Sequence, residues 1–408
     1  MSAPTIRTPN ARFSCQSCGR CCTLWSVTVD AEKVDKLRDH DWSHLHPGDP
    51  FEKNRGPGDA YRLRMIDGRC FFLAEDNRCH IHSELDYDAK PDGCKAFPLH
   101  LLEVGKQTHG RLSFYCPSVT DGTGKRLRDQ QRWLRTTLKA AGDIRRSKEL
   151  TLNDVVDLKL RDAEEILNRI NTWMRRDDET VADRLAAGAG LLATMSDRAG
   201  EAPGEAKAAH AITALLKEAR KDEAFATFIA AGRADGFASR AGPLFSLFLG
   251  ADTKMTKTAR FGHFFGIRAF NVGLGKLRST VMNAQASKKQ LRAVRFDPPT
   301  AHNELLTRYF SHKLDARRPL SGEGSLIAGY NILVAAYGVI NLLTRLAAAS
   351  AGRDEPDEHD VAAAVQAADL LVVEHTTLRH GPMFGHLVDT VLAPPNLCAS
   401  LLARLEKL

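Results

Sequence analysis

The chain has 408 residues, room for two or three domains, and its 43% apolar and 26% charged residues are the balance of a soluble globular protein. No long run of like charge or low complexity is present, which excludes a long disordered tail. The net charge of +7 is uneven: residues 1–125 carry 17 Lys/Arg against 17 Asp/Glu, so the whole surplus lies in 126–408.

Taken in chain order, residues 1–12 lack an apolar segment, so no signal peptide is expected there, and the protein reads as cytoplasmic. Residues 13–125 read as one domain, rich in Cys, Gly, Pro and Asp. Its apolar runs are short (24–29, 70–73), and 31–40 is its one helical pattern. A loop-rich fold with little regular core needs a staple, and metal ligation is the available one.

From 126 to 408 the texture becomes helical, and an all-α domain, possible as two sub-bundles, is expected. Apolar residues recur every three or four positions over 126–141, 152–175, 179–195, 205–221 and 222–232, with Thr151 as cap of the second helix. Further helices are expected at 303–314, 324–350, 357–375 and 395–408. The apolar stretch 326–343 is interrupted by Asn331, Asn341 and two tyrosines, so it predicts a buried core helix and no membrane span. Tyr330 and Tyr337, seven apart, have core spacing. No strand–helix alternation is read after 125. The fold class is therefore mainly α, with a small irregular cysteine-rich domain in front.

Eight of nine cysteines fall between Cys15 and Cys116, a clustering that core packing does not explain. Cys15, Cys18, Cys21 and Cys22 form a C-x2-C-x2-C-C run, which brings several sulfurs into one short loop, as thiolate-held iron–sulfur and zinc sites require. Gly19 lets that loop wrap. Cys70, Cys79, Cys94 and Cys116 each sit beside turn residues. Adjacent Cys21 and Cys22 cannot easily serve one small tetrahedral ion. They can face two centres or one larger cluster, which favours an iron–sulfur cluster over zinc or iron ions held singly. The isolated Cys398 reads as a buried apolar cysteine. His80 and His82 flank this region, either as ligands or as exposed histidines on a short strand, and Trp25 is expected to shield the centre.

Four motifs, Cys15-x2-Cys18-Gly19-x-Cys21-Cys22, Gly68-Arg69-Cys70-Phe71-Phe72-Leu73, Asn77-Arg78-Cys79-His80-Ile81 and Cys94-Lys95-Ala96-Phe97-Pro98, resemble in order and spacing the YkgJ-type cysteine-cluster family of zinc- or iron-chelating proteins. Cys116-Pro117 looks like its closing element. Lys95 stands where the family has arginine, and 82–90 lacks its tyrosine and Arg-Pro pair, leaving Pro91. The length and helical remainder are also similar to flagellin lysine N-methylase. That likeness implies methyl transfer from S-adenosylmethionine to lysines of a protein substrate.

The sequence thus supports either a metal-dependent protein-modifying enzyme or a non-catalytic metal module for storage, delivery, redox sensing or partner docking. No dinucleotide or phosphate fingerprint is present: Gly273-Leu-Gly275-Lys276 and Gly122-Thr-Gly124-Lys125 both lack the required context. No catalytic base can be named. Residues 253–296 hold ten Lys/Arg and no Asp/Glu, interleaved with Phe261, Phe264, Phe265 and Phe270. This stretch could meet nucleic acid, although the solvated and core faces of a helix give the same pattern. His375 reads as a capping or core residue.

Overall fold

The computed structural model describes residues 6–23, 26–54, 61–140, 145–146, 150–234, 270, 273–296, 303–321, 324–374 and 392–405. The chain divides into two compact units, Met1–Leu101 with Gly110–Ile144, and Leu102–His109 with Arg145–Leu408. The architecture is mainly helical, with strands concentrated in the first unit.

The first unit is built from short pieces. Thr28–Val29, Tyr61–Leu63 and Phe51–Lys53 make a three-stranded antiparallel sheet. Met65–Ile66 and Arg69–Cys70 form a hairpin whose turn, Asp67-Gly68, has both residues at positive φ (48° and 78°), the turn favoured between right-twisted strands. Arg12–Phe13 pairs with Lys125–Arg126, closing this stretch of chain on itself. The helix Ala31–Arg38 starts at Asp30, whose side chain accepts from the Lys33 amide, and buries Val34 and Leu37.

Contrary to the expectation of little core, these two residues join Trp42, Phe51, Leu63, Phe71, Phe72 and Ile81 in one buried cluster. The aromatic residues are scattered in sequence, so periodicity does not reveal them. Trp42 meets Phe72 edge-on at 4.9 Å. Cys70, Cys79 and Cys94 pack against the same cluster.

The second unit is a helical assembly. Leu160–Met174, Val181–Gly200, Glu205–Glu218, Ala224–Arg233, Asn303–Asp315, Leu326–Ser350, Glu358–Ala368 and Leu397–Leu405 are its main helices. Glycine sets several close approaches. A Cβ on Gly190 would lie 2.0 Å from the Phe228 carbonyl oxygen, and one on Gly232 would lie 1.9 Å from that of Ala186. Leu326–Ser350 is long and apolar enough to cross a bilayer, but its apolar window is wholly buried, so it is a core helix. Tyr330 and Tyr337 are both buried, and the Tyr330 hydroxyl donates to the Leu185 carbonyl at 2.9 Å. Asn331, which breaks the apolar run, donates to the carbonyls of Leu392 and Pro394. Buried Lys313 lies 2.6 Å from Asp369 and 2.8 Å from Glu374, which neutralise its charge inside the unit.

Two local expectations are corrected. The second helix begins at Leu160, because the Asn153 side chain accepts from the amides of Val155 and Val156 and holds Thr151–Asp157 as a bridged turn. Strands are not absent after 125: Lys276–Ser279 and Ala284–Ser287 form a hairpin in which Leu277 and Ser279 alternate with exposed Lys276 and Arg278. Arg145–Arg146 also pairs in parallel with Leu102 and Glu103. Trp25, His375, Phe261, Phe264 and Phe265, with the basic stretch up to 269, lie outside the described residues.

Candidate metal centre

The loop carrying the first four cysteines turns through two left-handed residues, Ser17 (φ 52°) and Gly19 (φ 69°). A Cβ on Gly19 would lie 2.8 Å from Asn77 Oδ1, so glycine also lets the loop settle on the turn that leads into Cys79. A single helical turn, Arg20–Thr23, then holds Cys21 and Cys22, with the Cys22 amide donating to Gly19 O at 2.9 Å.

The other four cysteines arrive on separate elements. Cys70 ends the Arg69–Cys70 strand, and its carbonyl accepts from Leu73. Cys79 bridges to Leu73 and opens the helical turn Ile81–Leu85, its carbonyl accepting from His82 and Ser83. Cys94 lies in the short helix Asp92–Ala96, and Cys116 caps Pro117–Thr120, where Pro117 takes the first helical position.

All eight come together around two adjoining cavities. Cys15, Cys18 and Cys116 line only the outer one, of about 440 Å³, and Cys70 lines only the inner one, of about 50 Å³. Cys21, Cys22, Cys79 and Cys94 line both. All eight are free thiols, as is Cys398, which is buried in the helix Leu397–Leu405. Cys15 and Cys18 are exposed while Cys116 is buried, so the outer cavity opens to solvent on the side of the C-x2-C loop.

The electrostatics distinguish these thiols. Cys21 and Cys22 have sulfurs 3.8 Å apart and share a hydrogen bond, which lowers Cys21 to about 7 and raises Cys22. Burial pushes Cys70 and Cys116 up to about 12 and also raises Cys94. Burial works against the Lys90 ammonium, but the Cys79 and Cys94 sulfurs outweigh it and hold its pKa above the ordinary lysine value. Lys90 lines both cavities and lies 5.5 Å over the Tyr87 ring. A set of soft sulfur donors, converging on two cavities and unpaired by disulfides, fits a thiophilic cation that would ionise them.

These surroundings fit a model of known proteins. Residues 14–117 match the family described as "CxxCxxCC: Putative zinc- or iron-chelating domain". Over this stretch the chain is similar to that family. The cysteine-cluster resemblance read from the sequence holds over it, about a quarter of the chain. No curated protein and no solved structure matches the chain.

The histidines take places that the sequence did not indicate. His80 and His82 belong to the helical turn at Ile81–Leu85, not to a strand: His82 lines the outer cavity and packs on Tyr87, while His80 turns to Glu84. Glu84 also accepts from His40 and His44. Burial alone would raise its carboxyl, but bonds from His40, His80 and His44 outweigh it and hold it at about 2. Sequence reading passed over Lys90, Tyr87, Asn77 and Glu84. Only Glu84 carried a signal, the His80-x3-Glu84 spacing that puts both on one helical face.

Proposed function

We propose that residues 14–117 hold two thiolate-bound metal centres, an inner one on Cys22, Cys70, Cys79 and Cys94 and an outer one on Cys15, Cys18, Cys21 and Cys116. The observation that carries this reading is the convergence of all eight free thiols on two adjoining cavities. Charge coupling links Cys22, Cys70, Cys79 and Cys94 among themselves and Cys116 to Cys18 and Cys21, while Cys21 also acts on Cys22, Cys70 and Cys94, as a sulfur on the border of both cavities would. Four thiolates are the usual complement of a tetrahedral zinc ion or an iron–sulfur cluster.

The inner group, set against the aromatic core, acts as the staple, and its small cavity suits a single ion. The outer group, with exposed Cys15 and Cys18 and a wide mouth, has room for an iron–sulfur cluster and access for a partner protein. It is the exchangeable or redox-active centre of a metal-handling protein. Free thiols are the state that a reducing cytosol maintains. Methyl transfer from S-adenosylmethionine, and with it any role as an enzyme, is favoured by no observation among the described residues.

Protein purified without oxygen is assayed for iron, acid-labile sulfide and zinc, beside Cys15→Ser and Cys70→Ser. Two centres are expected, with Cys15→Ser losing the outer and Cys70→Ser the inner. Iron matched by sulfide at the outer group would support the cluster. Zinc without sulfide would overturn the iron–sulfur reading and keep the thiolate one. Protein without bound metal, or loss of all the metal from each single variant, would overturn the two-group division.

A further inference from the structure

Outside the sulfur-lined cavities, four side chains converge on one face of the first unit. His40 and His44 come from the turn that follows the helix Ala31–Arg38. His80 and Glu84 come from one helical turn, four residues apart. His80 Nδ1 lies 2.7 Å and His44 Nε2 3.2 Å from the same carboxylate oxygen of Glu84, while His40 Nε2 lies 3.0 Å from the other. One ligating atom from each of His44, His80 and Glu84 can be chosen so that all three lie within 4.8 Å of one another.

We propose that His44, His80 and Glu84 form a separate metal site, a nitrogen- and oxygen-donor site for a divalent cation of the zinc type, with His40 holding the carboxylate from behind. Metal–ligand bonds of about 2.0–2.2 Å place two ligands of a tetrahedral ion roughly 3.4 Å apart. The contacts of Glu84 with His80 and His44 are already close to that edge, so small side-chain rotations complete the triangle. The free Glu84 oxygen accepts from His40, the arrangement in which an outer histidine orients a ligating carboxylate.

The scaffold beneath is firm. His40 packs on Trp42 at 4.3 Å, Trp42 donates to the Leu37 carbonyl at 2.6 Å, and the His80 amide donates to Phe72. A surface ion-pair network is the competing explanation. Exposed pairs of that kind contribute only about 0–1 kcal/mol, which gives little reason to order three imidazoles around one carboxylate. Three protein ligands leave a fourth position for water, as in open zinc sites. This site goes beyond the thiolate reading and does not depend on it.

The test is cobalt titration of the full chain as purified, followed by absorption and metal content. Wild type is expected to take up one equivalent of Co²⁺ with weak visible bands and without the intense sulfur-to-cobalt charge-transfer absorption. Glu84→Gln and His44→Ala are expected to lose that equivalent while keeping their thiolate-bound metal. His40→Ala is expected to weaken it about 10–100-fold. An unchanged far-UV circular dichroism spectrum shows that each variant is folded, and the exposed position of His44 and the half-exposed one of His40 make that the expected result. Absence of the sulfur-free equivalent in wild type, or its retention in Glu84→Gln and His44→Ala, would overturn the site. Cysteines found empty of metal would sink the thiolate centres alone and leave this result to stand.

Discussion

The two units hold themselves together by opposite means. In the second, stability comes from long helices brought close by glycines and alanines, with Gly190, Gly232 and Gly329 each taking a neighbouring carbonyl where a side chain would stand. In the first, no helix exceeds the eight residues of Ala31–Arg38 by more than two among the described residues, and a compact aromatic cluster shares its border with thiols. A packed helical unit carries its cohesion in contacts that form whenever it folds. A unit bordered by half-buried thiols is expected to depend on what those thiols bind, because burial raises Cys70, Cys94 and Cys116 and a bound cation reverses that cost.

The largest expected effect separates the units directly. Structural zinc in small domains contributes about 10–16 kcal/mol of apparent binding energy. Stripping the metal with a strong chelator should therefore abolish the near-UV circular dichroism of Trp42 and its cluster, while the far-UV helical signal of the second unit persists. Loss of both signals, or of neither, would break the comparison.

Phe72→Ala should cost about 3–5 kcal/mol in denaturant unfolding of the first unit, since Phe72 is fully buried under Trp42 and Phe51. It should also speed chelator removal of the inner metal more than of the outer. Equal rates would argue against the core-backed inner group.

In the second unit, Gly190→Ala and Gly329→Ala drive a methyl to 2.0 and 1.9 Å from backbone oxygens, which forces the elements apart. Overpacking of this severity should cost about 3 kcal/mol, with metal content unchanged. The smallest effect concerns metal-free protein. The pKa of Cys21 is depressed to about 7 by Cys22, so Cys21 is a thiol below that pH and a thiolate above it. Its alkylation rate, followed by peptide mass mapping, should rise through pH 7 and level off above, with Cys22 lagging throughout the same range. Equal reactivity of the two would show that their sulfurs do not share the hydrogen bond.

Much of the second unit was legible because an amphipathic helix announces itself locally. The helix at Leu326–Ser350 and the capped start at Asp357 lie close to where periodicity and cap residues place them. The hairpin at Lys276–Ser287 was not, although its alternation of buried Leu277 and Ser279 with Lys276 and Arg278 was present, because ten basic residues read equally well as a helix's solvated face. Thr151 failed as a cap because Asn153 offered its backbone a competing turn, a choice between two local bonds that residue type does not settle.

By itself the sequence named the candidate donors, eight cysteines clustered between Cys15 and Cys116, and a helical remainder with its core helix. Tertiary structure alone decided how those donors are grouped. Cys70, Cys79, Cys94 and Cys116 are separated by up to 46 residues and reach common cavities only after the aromatic core has set the strands and turns that carry them. It likewise brought His40 and His44 to Glu84 from more than a full strand pair away in sequence. The physical reason is the same in both cases. Ligand chemistry is a property of each residue, whereas a site is a set of distances, and distances between remote residues are set by packing.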